Sequence, residues 1–228
     1  MTEPLTPSEG WGVLHLFCRL APMTDGEAVV AVLKAAAAEE GLQVVPWSVL
    51  GHKADLCVMA LGADWVRLRA LQRDLQAAGL DVVDSYLSLT EVSEYAKGMP
   101  EAMLDARLHP QLPPAGMRAV CFYPMSKRRG EQHNWFALGF DERRELMMGH
   151  GASGRAFKGR VLQLVTGSTG LDDFEWGVTL FAVRPDDLKA CVYTMRFDEA
   201  STRYAEFGAF YTGIVGSVDE VAGAVGLV

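Results

Sequence analysis

Only four cysteines occur in 228 residues, at positions 18, 57, 121 and 191, and no two form a C-x-x-C pair. That argues against a disulfide framework and against a thiolate zinc site. Three of the four sit in apolar runs, where a free thiol behaves as a small hydrophobe. No apolar run reaches the roughly 18 residues of a membrane span, and Met1 to Gly10 lacks the basic start and apolar core of a secretory signal. Positive charge is in short supply: 21 Lys+Arg stand against 29 Asp+Glu, a net charge of -8. Phosphate contacts need clustered cations, so nucleic-acid binding is not expected as the main activity. There is no G-x-x-x-x-G-K-[ST] phosphate loop, no H-E-x-x-H and no G-x-S-x-G elbow. Gly167-Ser168-Thr169-Gly170 precedes a strand rather than a helix and reads as a turn. These absences predict a soluble, cytoplasmic protein without membrane or nucleic-acid partners, large enough at 24.8 kDa to build a core without staples.

What is present is an ordered alternation of elements. The first half predicts a strand over 12–20 and a helix over 25–40 that stops at Gly41. Strands follow over 42–50 and 55–61, then a helix over 64–78 ending at Gly79, then a strand over 80–89. A looser stretch, 91–116, carries Pro100, Pro110, Pro113 and Pro114 and predicts a connection. The order then recurs: strand 118–125, helix 141–157 with Asp141 as N-cap, strands 161–166 and 174–183, helix 185–192, strand 204–214, and a short helix 218–225. The fold class this predicts is α+β, two ferredoxin-like β-α-β-β-α-β halves whose sheets face each other in an α/β-barrel-like subunit. The division is 1–95, 96–117 as the connection, and 118–228.

Chemistry-bearing residues concentrate in the second half. Met147, His150, Gly154 and Phe157 fall on one helix face, with Gly149 and Gly151 flanking the histidine. Glycines inside a helix cost up to ~1 kcal/mol each, a cost that makes sense where something flat approaches the backbone. A haem lying there with His150 as axial ligand fits, and a core histidine near a frayed helix end is the alternative. Tyr123, Met125 and Lys127 alternate onto one side of the strand 118–125, so a phenol and an ammonium can meet one anionic group. Pro124 implies that this strand is an edge or is ending. Gln163 lies on the next strand as either a surface position or a polar group above a metal. His109 is a possible acid–base in the connection, or an exposed loop histidine.

Several blocks occur in a recognisable series. They are Tyr123-Pro124-Met125-Ser126-Lys127-Arg128-Arg129, Asn134-Trp135-Phe136, Glu142 to Met147, His150-Gly151, Asp172 to Phe181, and Met195 to Ser201, running on to Gly208. In these blocks the chain resembles the chlorite dismutase-like haem proteins and, among them, the coproheme decarboxylases, with an actinobacterial-type variant as the nearest pattern. The resemblance implies haem in the second half and a homopentamer, with His150 as iron ligand. It also implies Tyr123 as the residue that becomes the radical and Lys127 as the partner of a propionate. Gln163 stands where chlorite-degrading members carry an arginine, and His109 is the candidate distal base. Trp135, Met147 and Ser201 would line the cofactor or hold a propionate. The implied reaction is hydrogen-peroxide-dependent decarboxylation of iron-coproporphyrin III (coproheme) to haem b, with transient contact to a coproporphyrin ferrochelatase. A haem peroxidase or chlorite-degrading relative, or a haem carrier, is the alternative. Since the acidic chain would not steer a tetracarboxylate, Lys127, Arg128, Arg129, Arg107 and Arg118 are expected to form a basic mouth.

Overall fold

The computed structural model describes residues 3–96 and 98–228. Helix starts follow from their caps. Asp25 accepts the Ala28 N–H at the head of α1 (Gly26–Ala37), and Asp64 accepts the Val66 N–H at the head of α2 (Trp65–Ala77). Around them run β1 (Gly12–Leu20), β2 (Leu42–Val49), β3 (Leu56–Gly62) and β4 (Leu80–Thr90). These pair antiparallel in the order β4-β1-β3-β2.

After α3 (Glu101–Leu108) the order returns with β5 (Ala119–Lys127), α4 (Phe140–Arg155), β6 (Val161–Gly167), β7 (Trp176–Ala182) and α5 (Pro185–Met195). The chain ends with α6 (Glu199–Tyr204), β8 (Ala205–Phe207), β9 (Tyr211–Val215) and α7 (Val218–Val225). The second sheet reads β6-β7-β5-β9, the same first-to-fourth arrangement as the first. β4 joins β6 through Leu89↔Gly167 and β2 joins β9 through Trp47↔Val215, which closes the two sheets into one barrel.

Alternation sorts the side chains between the lumen and the outside. Phe17, Trp47, Phe122 and Phe181 fill the lumen. His15 is fully buried among them, with Nε2 3.1 Å from Thr179 Oγ1 and no partner for Nδ1. On the outside, α1, α2 and α7 cover the first sheet, with Val29, Leu33, Leu68, Leu71, Leu75 and Val221 buried against it. No helix among the described residues is long and apolar enough to cross a membrane.

The connection carries one short helix, α3, between Pro100 and Pro110. Three expectations need correction. α4 begins at Phe140 under Gly139, so Asp141 lies in its first turn instead of capping it. The expected strand 204–214 is divided: Asp198 accepts the Ser201 N–H and starts α6, and β8 and β9 lie either side of Gly208. Gly208 passes so close to Pro124 that a Cβ there would stand 2.6 Å from its ring. Pro124 itself is not at an edge. Its carbonyl accepts the Gly208 N–H, so its ring nitrogen faces the gap where β9 leaves β5 and β8 takes over, and no ladder bond is lost there.

Candidate functional site

The outward face of the second sheet carries the site. Outward residues meet in rows across β6, β7 and β5: Gln163–Leu180–Cys121, then Val165–Val178–Tyr123, then Gly167–Trp176–Met125. Leu188 and Cys191 of α5, together with Phe157, cluster with Cys121, Leu180, Tyr123 and Val178. The β6 side of the face is left more open, and Val165 is 47% exposed.

α4 crosses this face. A Cβ on Gly154 would stand 3.1 Å from Gln163 Nε2, so the helix passes directly over that glutamine. Yet α4 buries none of its own side chains. It leans instead on a small cluster in which Leu146 and Met147 meet Trp135, Ala200 and Tyr204. A helix stays in that position because α6 props it, not because the sheet packs it.

His150 projects from α4 to Asp198, with Nδ1 3.0 Å from Oδ2. Ser201 completes the arrangement: its Oγ lies 3.1 Å from Asp198 Oδ2 and 3.4 Å from His150 Nδ1. A carboxylate only accepts, so the imidazole proton sits on Nδ1 and the Nε2 lone pair is left for a metal. Burial opposes ionisation of Asp198, but the bonds from His150 and Ser201 outweigh it and hold the carboxyl below its ordinary range.

Lys127 is 6% exposed. Its Nζ donates to the Ala200 carbonyl at 3.3 Å and stands 4.3 Å over the Trp135 ring. Burial lowers its pKa to about 8, against the opposing pull of Asp198 and Glu175. Tyr123 is buried, stacked on Phe210 at a 4.6 Å centroid distance, and burial pushes its phenol well above the ordinary value. It is therefore a neutral phenol at neutral pH.

The structure thus brings together His150, Lys127, Trp135, Met147 and Ser201, with Tyr123 and Gln163 on the sheet face that α4 crosses. It does not bring in His109. His109 is the C-cap residue of α3, its ring Nδ1 2.7 Å from Asp105 Oδ1 and its centroid 5.0 Å from that of Trp11. Nor is there a single basic mouth. Arg118 sits at the opposite end of β5 from Lys127, bonded to the Val215 carbonyl and paired with Glu220. Arg128 pairs with Glu206. Asp198 and Glu175 received no role from the sequence. The spacing Asp198-x-x-Ser201, an N-cap signal, was the available clue to the first.

Comparison with known proteins agrees with this architecture. A relative from Natronomonas pharaonis, named as a haem-binding protein, is 42% identical over 92% of this chain, which spans 40% of that protein's length. A solved haem-binding protein from Thermus thermophilus is 36% identical, with a TM-score of 0.86 over 99% of this chain and 100% of that one. A chlorite dismutase variant from Candidatus Nitrospira defluvii shares the fold at 18% identity, with a TM-score of 0.77 over 96% and 97% of the two chains. Residues 23–216 match the family model described as chlorite dismutase, and the chain belongs to that family.

Proposed function

We propose that this protein binds an iron porphyrin between α4 and the outward face of β6–β7–β5 and is a coproheme decarboxylase. The observation that carries the reading is α4. It crosses an apolar sheet face without burying a side chain, while its one histidine is held by Asp198 with Nε2 free. Those donors suit iron, and at the glycines 149 and 151 an added Cβ would meet nothing but the Arg155 guanidinium, so the helix presents an open surface on that stretch. The relatives from Natronomonas and Thermus, both named for haem binding, support the same ligand.

When bound, the iron supplies oxidation by hydrogen peroxide. His150 would hold it and Asp198 would fix the imidazole. Lys127, buried beside Trp135, would pair with a propionate of coproheme and keep it near Tyr123. Tyr123, a desolvated neutral phenol, gives up a hydrogen atom and takes one back from the propionate side chain. Each round consumes one hydrogen peroxide and one proton, and releases carbon dioxide and two waters while a propionate becomes a vinyl group. Gln163 would hydrogen-bond the peroxide, and His109, after a movement of the connection, would take its proton. We further propose a cytoplasmic homopentamer that meets a coproporphyrin ferrochelatase transiently.

The test is mass spectrometry of the pigment after loading with coproheme and titrating peroxide, in the wild type and in Tyr123→Phe. Stepwise loss of two carboxyl groups in the wild type only is the expected result. Tight binding with an unchanged porphyrin mass would replace the decarboxylase by a carrier or a peroxidase.

A further inference from the structure

At the rim of the same face, where β4 meets β6, lies a cavity of about 430 Å³ walled by Glu9, Glu91, Leu108, Gly167 and Trp176 among others. Glu91 follows directly on β4. Its carboxylate lies across Gly167, where a Cβ would collide with it, and its Oε1 accepts the Trp176 indole N–H at 3.2 Å. Gly167 and Trp176 are register partners and both point outward, so this carboxylate stands on the sheet face that carries Tyr123 and Val165. Among the described residues its one polar partner is an indole, and no ion pair engages it. Partial burial raises its pKa, the mark of a poorly hydrated carboxylate. Lys127 projects from the same end of the same face, but from β5. Two strand spacings separate β6 from β5, about 10 Å, a distance comparable to that between peripheral substituents of a porphyrin. The rim therefore offers an anion at one corner and a cation at the next.

We propose that Glu91 is a specificity-determining residue that keeps carboxylate substituents away from the Trp176 corner and so directs them to Lys127. The inference rests on the porphyrin site proposed above. Like charges at close range in a poorly solvated rim are strongly disfavoured, whereas methyl or vinyl groups pack on the indole without cost. Gly167 is part of the device, because any larger residue would push the carboxylate off this position.

The test titrates coproheme and haem b into apoprotein, following tryptophan quenching, and records proton NMR of the cyanide complex of haem b. Wild type, Glu91→Gln and Glu91→Lys are compared. Glutamine keeps an acceptor for Trp176, and far-ultraviolet circular dichroism confirms that each variant is folded. Wild type is expected to show one set of haem methyl resonances, and Glu91→Gln two, from two seating orientations. Coproheme affinity should rise about tenfold in Glu91→Gln and further in Glu91→Lys, with haem b affinity changed less. Unchanged affinities with a single set of resonances in all three proteins would overturn the assignment, as would weaker coproheme binding by Glu91→Gln. Failure of the wild type to bind either porphyrin would instead remove the site itself.

Discussion

The two halves share one topology and differ in what their helices do. In the first half α1 buries Val29, Leu33 and Ala36, α2 buries Leu68, Leu71 and Leu75, and β3 is buried at every position. In the second half β7 and α5, the counterparts of β3 and α2, are packed in the same way, but α4 stands in the place of α1 and fully buries no side chain. The difference lies in that one helix, which leaves sheet surface in reserve where α1 has filled it. Buried titratable groups divide the same way. His15 in the first half is locked neutral in the lumen, whereas Lys127 in the second titrates near physiological pH beside the imidazole–carboxylate pair.

His15 offers the largest way to break that comparison. Burial lowers its pKa to about 3, against 6.5 in the unfolded chain. Between those values the unfolded state binds a proton that the folded state refuses, so stability is full above pH 6.5 and falls as pH drops toward 3. The loss amounts to about 5 kcal/mol across the window. Urea unfolding from pH 7 to 4 should show this slope in the wild type and its reduction in His15→Leu. Identical profiles would mean that water reaches the lumen. The next effect concerns the helices. Leu33→Ala on α1 should cost about 2–5 kcal/mol of apoprotein stability, while Leu146→Ala on α4, half-buried against α6, should cost about 1 kcal/mol. Equal losses would show that α4 is as tightly packed as its counterpart and leaves no room for a ligand.

The first half was nearly all legible, because local signals and tertiary structure agree there. Asp25 and Asp64 cap helices, Gly79 ends one with φ +88°, and apolar runs mark the strands. The last helix was equally plain, and Ser217 and Glu220 form its capping box. What escaped were short helices whose signals compete with others. α3 hides among prolines that also mark a connection, and α6 precedes residues of strong strand preference. In the site, alternation alone put Tyr123 and Lys127 on one face. The His150–Asp198 bond joins residues 48 apart through the docking of α4 on α6, and no local pattern encodes such a contact. Glu91 was invisible for a similar reason, since its partner Trp176 lies 85 residues away across the seam between the sheets.

Lys127 sharpens the comparison with a smaller effect of the same pH sign, at a residue whose removal is expected to stabilise. Its pKa is lowered from 10.5 to about 8, with burial the main cause. Below pH 8 both folded and unfolded chains carry the proton, and the folded state bears the full cost of holding an ammonium out of water. Between pH 8 and 10.5 only the unfolded state stays protonated, so stability rises with pH across that window. The cost at neutral pH is about 3 kcal/mol, held down by the Trp135 ring and the Ala200 carbonyl, which favour the ammonium. Lys127→Met should therefore stabilise the apoprotein by roughly 1–3 kcal/mol at pH 7 and flatten the rise between pH 8 and 10.5, both read by urea unfolding. The same variant should bind coproheme more weakly. A group that costs stability in the empty protein and strengthens binding of an anionic ligand belongs to a site, and a loss of stability in Lys127→Met would place it with the packing residues of the first half instead.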